Sequence, residues 1–341
     1  MTGLLDGPFW RGQRVLVTGH TGFKGAWLCL MLERLGAHVL GLSLPPAPDG
    51  AFTAIRSRVE SVTADLRDAG AVAAAVDRLR PRIVLHLAAQ ALVGEGHAHP
   101  AETFATNVMG TVHLLRALGN VEPMAVLVVT SDKVYRPDPG PRTEDSLLGG
   151  TDPYSASKAA VEMLVTGWRT RLPCPIGTAR AGNVLGGGDR GAGRLVPDIL
   201  RADRTGEPVL LRRPDSVRPW QDVLDVLAGY LLYAHALARG DAPPTLNFGP
   251  DHMAVVTAAT LTERLQTSLG ARPNWHGGEP TYAENPVLRL DSSRARQVLG
   301  WSPRIGLDAS LADIATWHRS IQHGADMRAV AEARLDAWAS A

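Results

Sequence analysis

Two short constellations in this sequence hold residue types that can do acid–base work on an alcohol. Tyr154 and Lys158, in DPYSASK, form a Tyr-x3-Lys pair. Four residues apart on a helix, they lie on one face. A lysine cation beside a phenol, together with the positive charge of an oxidised nicotinamide, favours the phenolate, so the tyrosine pKa can fall from its usual ~10 toward neutrality. A phenolate so placed can take a hydroxyl proton while a hydride departs from the same carbon. The second constellation is Ser131-Asp132-Lys133, in TSDKVY. An acid and a base side by side suit an elimination. Once a carbon has been oxidised to a ketone, the neighbouring C–H is acidic. Loss of water one carbon further on then needs a base for that proton and an acid for the departing hydroxyl. Either set alone also fits a solvated surface helix or turn, and their combination is what points to chemistry.

A hydride needs an acceptor. The segment VLVTGHTGFKG places Gly19, Gly22 and Gly25 at a strand-to-helix junction. Such glycines let the turn tighten and the backbone approach a pyrophosphate, whose charge the helix N-terminus stabilises. The expected ligand is a dinucleotide: NAD, with NADP as the alternative. NAD sites usually carry an acidic residue about 20 positions beyond the glycines, bonded to the ribose hydroxyls. This chain has Pro45-Pro46 there and Asp49 a little later, and Arg56 is the basic candidate for a 2′-phosphate.

These groups need a scaffold. Apolar, β-branched runs predict strands at 14–17, 38–44, 59–63, 83–87 and 126–129. Helical patterns at 25–35, 69–79, 100–118 and 154–171 alternate with them. The alternation implies an α/β, Rossmann-like, doubly wound parallel sheet with helices on both faces. Ser131 then falls just past the fifth strand, at the end of the sheet where ligands bind. The character changes after about residue 180, where AGNVLGGGDRGAGRLVP is dense in glycine and proline. The expected organisation is an NAD(P)-binding domain over 9–180 with a return segment at about 221–250, and a smaller substrate-binding domain mainly within 181–341. Two or three helices are expected after about residue 257.

Composition narrows the class. Of the 341 residues, 45% are hydrophobic and 20% charged, as in an ordinary folded protein, and the net charge of +1 gives no reason to expect a nucleic-acid or membrane partner. Cys29 and Cys174 are the two cysteines, too few for a disulfide framework, which suits a reducing compartment. The N-terminus lacks the charged and apolar regions of a signal peptide, and no apolar run reaches about 18 residues. The expectation is a soluble cytoplasmic enzyme.

The segments FWRGQRVLVTGHTGFKGAWL, HLAAQALV, TNVMGTVHLL, TSDKVY, DPYSASK, RAGNVLGGGD, VRPWQDVL and LNFGP are together more specific than the fold. From residue 9 to about 317 the chain resembles the extended short-chain dehydrogenase/reductases, and among them the CDP-glucose 4,6-dehydratases. Related dTDP- and GDP-sugar dehydratases typically have Thr-Asp-Glu or Thr-Glu where this chain has Ser131-Asp132-Lys133. The resemblance implies oxidation of CDP-glucose at C4, loss of water across C5 and C6, and hydride return to C6. In that scheme Tyr154 is the C4 base and Lys158 bonds the nicotinamide ribose. Ser131 holds the C4 oxygen, Asp132 protonates the departing C6 hydroxyl, and Lys133 serves at C5 directly or through water. Cofactor contacts are implied for Gly19, Thr21, Gly22, Phe23, Lys24 and Gly25. They are implied also for Asp65 and Leu66 at the adenine, for Leu87, Ala88 and Ala89 on the nicotinamide side, and for Asn107. Substrate contacts are implied for Gln90, Asn183, Arg194, Leu195, Arg218 and Trp220, the arginines gripping the diphosphate. No metal is implied.

The resemblance also implies a homodimer, or a tetramer built from it, through the helices at 100–118 and 154–171, whose outer faces would carry Leu114, Leu115, Met163 and Leu164, residues that equally suit a core. Two regions depart from the pattern. After ALV the family usually has an arginine and a Ser-Tyr pair, where this chain reads GEGHAHP, and the stretch between Tyr135 and Asp152 is short and poor in aromatics. Both regions border the sugar in this class. A nucleotide-sugar 4-epimerase would use Tyr154 and Lys158 without the Asp132-Lys133 pair. A cofactor-binding regulator would need none of them. The combined set favours the dehydratase.

Overall fold

The computed structural model describes residues 5–138, 140–250, 254–279 and 287–341. Its strands in chain order are β1 (Arg14–Thr18), β2 (His38–Ser43), β3 (Glu60–Thr63), β4 (Ile83–His86), β5 (Ala125–Val129), β6 (Ile176–Ala181), β7 (Asn183–Leu185), β8 (Val209–Leu211), β9 (Val217–Asp222), β10 (Thr245–Phe248), β11 (Val255–Thr257) and β12 (Trp275–Gly277). Seven of them form one parallel sheet in the order β10-β6-β5-β4-β1-β2-β3. The winding direction reverses between β1 and β4, and in such sheets the ligand crevice lies beyond the carboxyl ends of the strands at that point.

The period of two along each strand sends alternate side chains to opposite faces. Val15 and Val17 of β1 join one core with the helices Phe23–Arg34 and Val223–Arg239, and Leu16 joins another with the helices Ala69–Leu79 and Gly110–Leu118. β5 divides likewise, with Leu127 in the first core and Val126 and Val128 in the second. Near-continuous apolar strands are what a sheet covered on both faces requires.

The remaining strands make two small sheets, β11-β9-β7 and β12-β8. A third core there gathers Leu185, Val196, Ile199, Trp220, Leu261, Leu265 and Leu311. The tail holds four helices, Ala258–Leu269, Ser293–Leu299, Leu307–Gln322 and Met327–Ser340, more than the sequence pattern suggested. Part of it returns to the large sheet: Ala295, Trp301, Leu335 and Trp338 belong to the first core. The dense glycines of the 182–193 stretch permit close approach. A side chain at Gly187 would lie 2.4 Å from the Trp317 ring, and Trp27 Nε1 donates to the Gly187 carbonyl at 2.8 Å.

Three local departures bear on the site. The expected helix over 100–118 is Pro100–Phe104, then a π-turn at Ala105–Met109, then Gly110–Leu118. Leu114 and Leu115, suited to an outer face or a core, are wholly buried in the second core, whereas Met163 is 65% exposed. Strands β6 and β10 were not foreseen, because IGTARA carries Thr178 and Arg180 where a buried strand should be apolar. Both are buried and paired. Glu162, on the helix Pro153–Trp168, accepts from Thr130 Oγ1 (2.5 Å), Thr178 Oγ1 (2.8 Å) and Arg180 Nη2 (2.8 Å). Arg180 also donates to the Tyr135 hydroxyl at 2.8 Å and to the Glu144 carbonyl at 3.1 Å.

Removing one member of a buried ion pair leaves a bare charge, at a cost of about 3–5 kcal/mol. Arg180→Met should lose stability on that scale in urea denaturation. The double variant Glu162→Gln/Arg180→Met should lose clearly less, because it leaves no unpaired charge.

Candidate active site

The site starts at the tip of β1. Gly19 has φ +72°, and a Cβ there would lie 2.8 Å from Ala88 Cα. A Cβ at Gly25 would lie 2.2 Å from the Gly19 carbonyl oxygen, so the turn closes only over glycine. Gly22 caps the following helix without a side-chain hydrogen bond, which leaves its first amides open. This cradle fits a pyrophosphate: bare backbone, a helix N-terminus and no intervening side chain. Thr21 Oγ1 lies 2.7 Å from Ser43 Oγ and donates to the Leu44 carbonyl at 3.0 Å, joining the turn to β2.

Lys24 turns inward. Its ammonium is 5.8 Å from the centre of the Tyr230 ring. Burial pushes its pKa down to about 8, and Arg194 adds to the fall while Asp132 and Asp189 oppose it. Phe23, beside it, faces the 186–188 loop: a Cβ on Gly186 would meet its ring at 3.0 Å.

Beyond β5, Ser131, Asp132 and Lys133 form a tight turn. Ser131 Oγ accepts from the Lys133 amide at 3.2 Å and donates to Asp132 Oδ1 at 3.1 Å. Ser131 and Asp132 are buried, and Lys133 is half-buried. Asp152 caps the next helix through the Ser155 amide (3.0 Å), with Pro153 as its first residue. The helix thus delivers Tyr154 and Lys158 to the same place. Tyr154 is buried and its hydroxyl is hydrogen-bonded to Ser131. Lys158 Nζ donates to the Val129 carbonyl at 3.2 Å.

Tyr154 is pushed up to about 12, chiefly by burial, and the Ser131 hydrogen bond and Arg194 only partly counter this. Lys158 is pushed down to about 7 by burial and by Lys24, against the pull of Glu162. Without further positive charge the phenol keeps its proton.

The other expected residues divide. Asn107 sits in the π-turn, where its side chain accepts from the Gln90 amide (2.8 Å) and donates to Gln90 O (3.1 Å) and Ser157 Oγ (2.8 Å). Leu87, Ala88 and Ala89 are half-buried just past β4. The Asp65 carboxylate is gripped by Arg67, at 2.6 Å from Nη2, while the carbonyl of buried Leu66 accepts from His113 Nδ1 at 2.8 Å. Gln90 is committed within the protein: its Nε2 donates to Thr103 and its Oε1 accepts from the Leu92 amide. Trp220 lies in the third core with its indole N–H on the Val256 carbonyl, so its position is explained by packing. Asn183 is half-buried on β7, paired with Trp220 in register. Arg218 is buried on β9, with Nη1 donating to Val217 O at 2.9 Å. Arg194 and Leu195 open the helix Leu195–Thr205, and Arg194 Nη1 donates to Asp189 Oδ1 at 3.0 Å. Arg56 Nη2 donates to Asp326 Oδ1 at 2.5 Å in a pair exposed on both sides.

Sequence reasoning missed Asp189, Tyr230 and Glu162. Glu162 carried a usable signal, four residues beyond Lys158 on one helix face.

Residues 15–249 match the model of the NAD dependent epimerase/dehydratase family. The chain belongs to that family. It is 39% identical to a CDP-glucose 4,6-dehydratase of Salmonella typhimurium, over 99% of both chains. It is 26% identical to a dTDP-glucose 4,6-dehydratase of Xanthomonas campestris, over 90% of this chain and 93% of that one. Among solved structures, a double mutant of the dTDP-glucose 4,6-dehydratase DesIV from Streptomyces venezuelae, with NAD bound, superposes with a TM-score of 0.80 at 26% identity, over 92% of this chain and 98% of that one. A UDP-glucose-4-epimerase from Stenotrophomonas maltophila, also with NAD, gives 0.81 at 25% identity, over 91% and 99%.

The lowered pKa of Lys158 links stability to pH. Its folded value, about 7, lies below the ordinary 10.5. Between the two, the unfolded chain binds the extra proton, so stability rises with pH across that window. Below it the lysine is charged in both states and the full penalty of burying a cation remains. Lys158→Met should therefore stabilise the fold most at about pH 6, and the gain should fade toward about pH 10. Urea denaturation at the two pH values measures this.

Proposed function

We propose that this protein is an NAD-dependent CDP-glucose 4,6-dehydratase, a hydro-lyase that converts CDP-glucose to CDP-4-keto-6-deoxyglucose. The observation that carries the reading is the burial of Asp132 at a strand tip beside the Ser131–Tyr154 contact, where an elimination acid adjoins the oxidation pair. The full-length likeness to a CDP-glucose 4,6-dehydratase supports the choice of nucleotide and sugar. The glycine cradle would hold the NAD pyrophosphate, with Leu87, Ala88, Ala89 and Asn107 beside the nicotinamide and Asp65 and Leu66 toward the adenine. Bound there, NAD supplies a hydride acceptor at C4 and the donor that completes the reaction at C6.

The protein's own groups do the rest. Tyr154 surrenders its proton when positive charge gathers beside it, and then takes the C4 hydroxyl proton while Ser131 holds that oxygen. The C4 ketone makes the C5 proton acidic, and Lys133 removes it directly or through water. Asp132 protonates the C6 hydroxyl as water leaves. Arg194 and Arg218 bond the diphosphate, with Asn183 and Leu195 beside it. Asp189 holds Arg194 in place for that contact. A 4-epimerase would have no use for an acid at Asp132.

CDP-glucose deuterated at C4 tests the reading. With NAD present, the product should be the 4-keto-6-deoxy sugar carrying deuterium at C6. A C4 epimer, or unchanged sugar with this nucleotide but turnover of another, would replace the proposal. Tyr154→Phe should stop C4 oxidation. Asp132→Asn should slow water loss by about 10²–10⁴-fold while C5 proton exchange continues. An unaltered rate in Asp132→Asn would remove the assigned acid.

The protein is further proposed to be a homodimer through the helices that carry Phe104, Met109 and Met163, which are 39%, 47% and 65% exposed. Large apolar side chains grouped on neighbouring helices suit a protein partner. Met163→Glu should shift the mass in solution toward the monomer, as read by light scattering. No helix among the described residues is long and apolar enough to cross a membrane, and Cys29 and Cys174 are both free and buried. Both observations support placing the enzyme in the cytoplasm.

A further inference from the structure

His86 ends β4, one residue before the Leu87-Ala88-Ala89 segment, and it is 3% exposed. The mechanism above does not use it. Its Nδ1 lies 2.7 Å from Thr18 Oγ1, at the tip of β1, and its Nε2 lies 3.0 Å from Thr111 Oγ1, one turn beyond the π-turn. The direction of each bond follows from its neighbours. The Thr111 hydroxyl donates to the Asn107 carbonyl at 2.6 Å, so toward His86 it can only accept. Nε2 therefore carries the proton and Nδ1 is the acceptor, filled by the Thr18 hydroxyl. Thr18 Oγ1 in turn accepts the Ala88 amide at 3.2 Å. The far end continues through Asn107, which holds both backbone groups of Gln90 and the hydroxyl of Ser157, between Tyr154 and Lys158.

We propose that His86 is a positioning residue: a neutral imidazole with its proton on Nε2, which locks the Ala88 segment and the β1 tip to the π-turn carrying Asn107. The relay fixes the wall against which the nicotinamide half of the dinucleotide rests. It rests on the reading of Ala88 and Ala89 as that wall, and is independent of which sugar is processed. Only a neutral imidazole donates on one edge and accepts on the other across this span; an imidazolium would donate to both threonines and leave the Thr18 hydroxyl proton without its acceptor. Burial and the charge of Lys158 both push the His86 pKa down, to about 3, so the neutral form persists at working pH.

Thr111→Val keeps the shape and removes the hydroxyl, Thr111→Ser keeps the hydroxyl, and His86→Gln removes the two-edged ring. Two measurements on the full chain test the relay. In the first, nitrogen NMR of labelled histidine without cofactor should show His86 neutral with its proton on Nε2 in the wild type and in Thr111→Ser, and should show that preference lost in Thr111→Val. A cation, or a proton on Nδ1, in the wild type overturns the proposal. In the second, calorimetry compares NAD with ADP-ribose, which lacks the nicotinamide. Thr111→Val and His86→Gln should weaken NAD by about fivefold or more, leave ADP-ribose within about twofold, and Thr111→Ser should restore NAD. Equal losses for both ligands would mark a general structural defect, and no loss for either would show that the wall stands without His86; each result overturns the proposal. Failure of the CDP-glucose reading would appear in the labelled-sugar experiment and leave these two outcomes unchanged.

Discussion

The buried carboxylate of Glu162 has to be paired, and the pairing sets where the catalytic helix lies. An isolated carboxylate in a dry interior is costly enough that the fold must bring donors to it. Its donors come from both neighbouring parallel strands: Thr130, the residue before Ser131 at the end of β5, and Thr178 and Arg180 of β6. One helical turn earlier, Lys158 is held by the carbonyl of Val129, also at the end of β5. The helix is therefore pinned to the strand tip at two successive turns. Tyr154, one turn further back, has little freedom to be anywhere except beside Ser131. The chemistry of the site is a consequence of neutralising a charge about 10 Å behind it, two turns of helix at roughly 5.4 Å each.

The pinned arrangement puts the site in an unusual electrostatic state. Lys24, Lys158 and Arg194 converge on a region whose nearby acids include Asp132, Asp152, Glu162 and Asp189. Even so, burial outweighs the cations at Tyr154 and holds its pKa near 12. Burial also takes Lys158 down to about 7, so it is a weaker cation than its type suggests. On the proposed mechanism an oxidised nicotinamide would add the missing positive charge, so the tyrosine would become a base only in a loaded site.

Much of this was legible in the sequence, for a local reason. The first five strands, the glycine turn and the Tyr–Lys and Ser-Asp-Lys sets each announce themselves within a few residues. What stayed hidden depends on partners far along the chain. Thr178 and Arg180 interrupt the apolar pattern of β6, and their partners Glu162, Tyr135, Glu144 and Thr245 all come from other elements. The partners of Trp220 and Gln90 were hidden in the same way: Val256 takes the Trp220 N–H, and Thr103 and Asn107 are brought to Gln90 by the fold. The π-turn has no sequence signature of its own; it is visible only as an interruption in an otherwise regular helix. Leu114 and Leu115 could be read as outer-face or core residues, since a helix that apolar does not choose between core and partner; the fold places them in the core.

The two departures from the family pattern can now be placed against the catalytic floor. GEGHAHP forms the helix Val93–Ala98, which packs directly on Tyr154: a Cβ at buried Gly96 would lie 3.0 Å from Tyr154 Cβ and 3.1 Å from its amide nitrogen. Glycine lets that helix approach the backbone of Tyr154 more closely than a larger residue would, and Glu95 stands exposed on it. The short stretch after Tyr135 is equally well held. Asn247 donates to the Arg142 carbonyl at 2.9 Å, and Arg180 donates to the Glu144 carbonyl at 3.1 Å. Arg180 is the same side chain that neutralises Glu162. The shortened segment is thus anchored to the network that pins the helix carrying Tyr154 and Lys158. On the proposed reading, a change in that segment would reshape the rim around the sugar while Asp132 and Tyr154 keep their places.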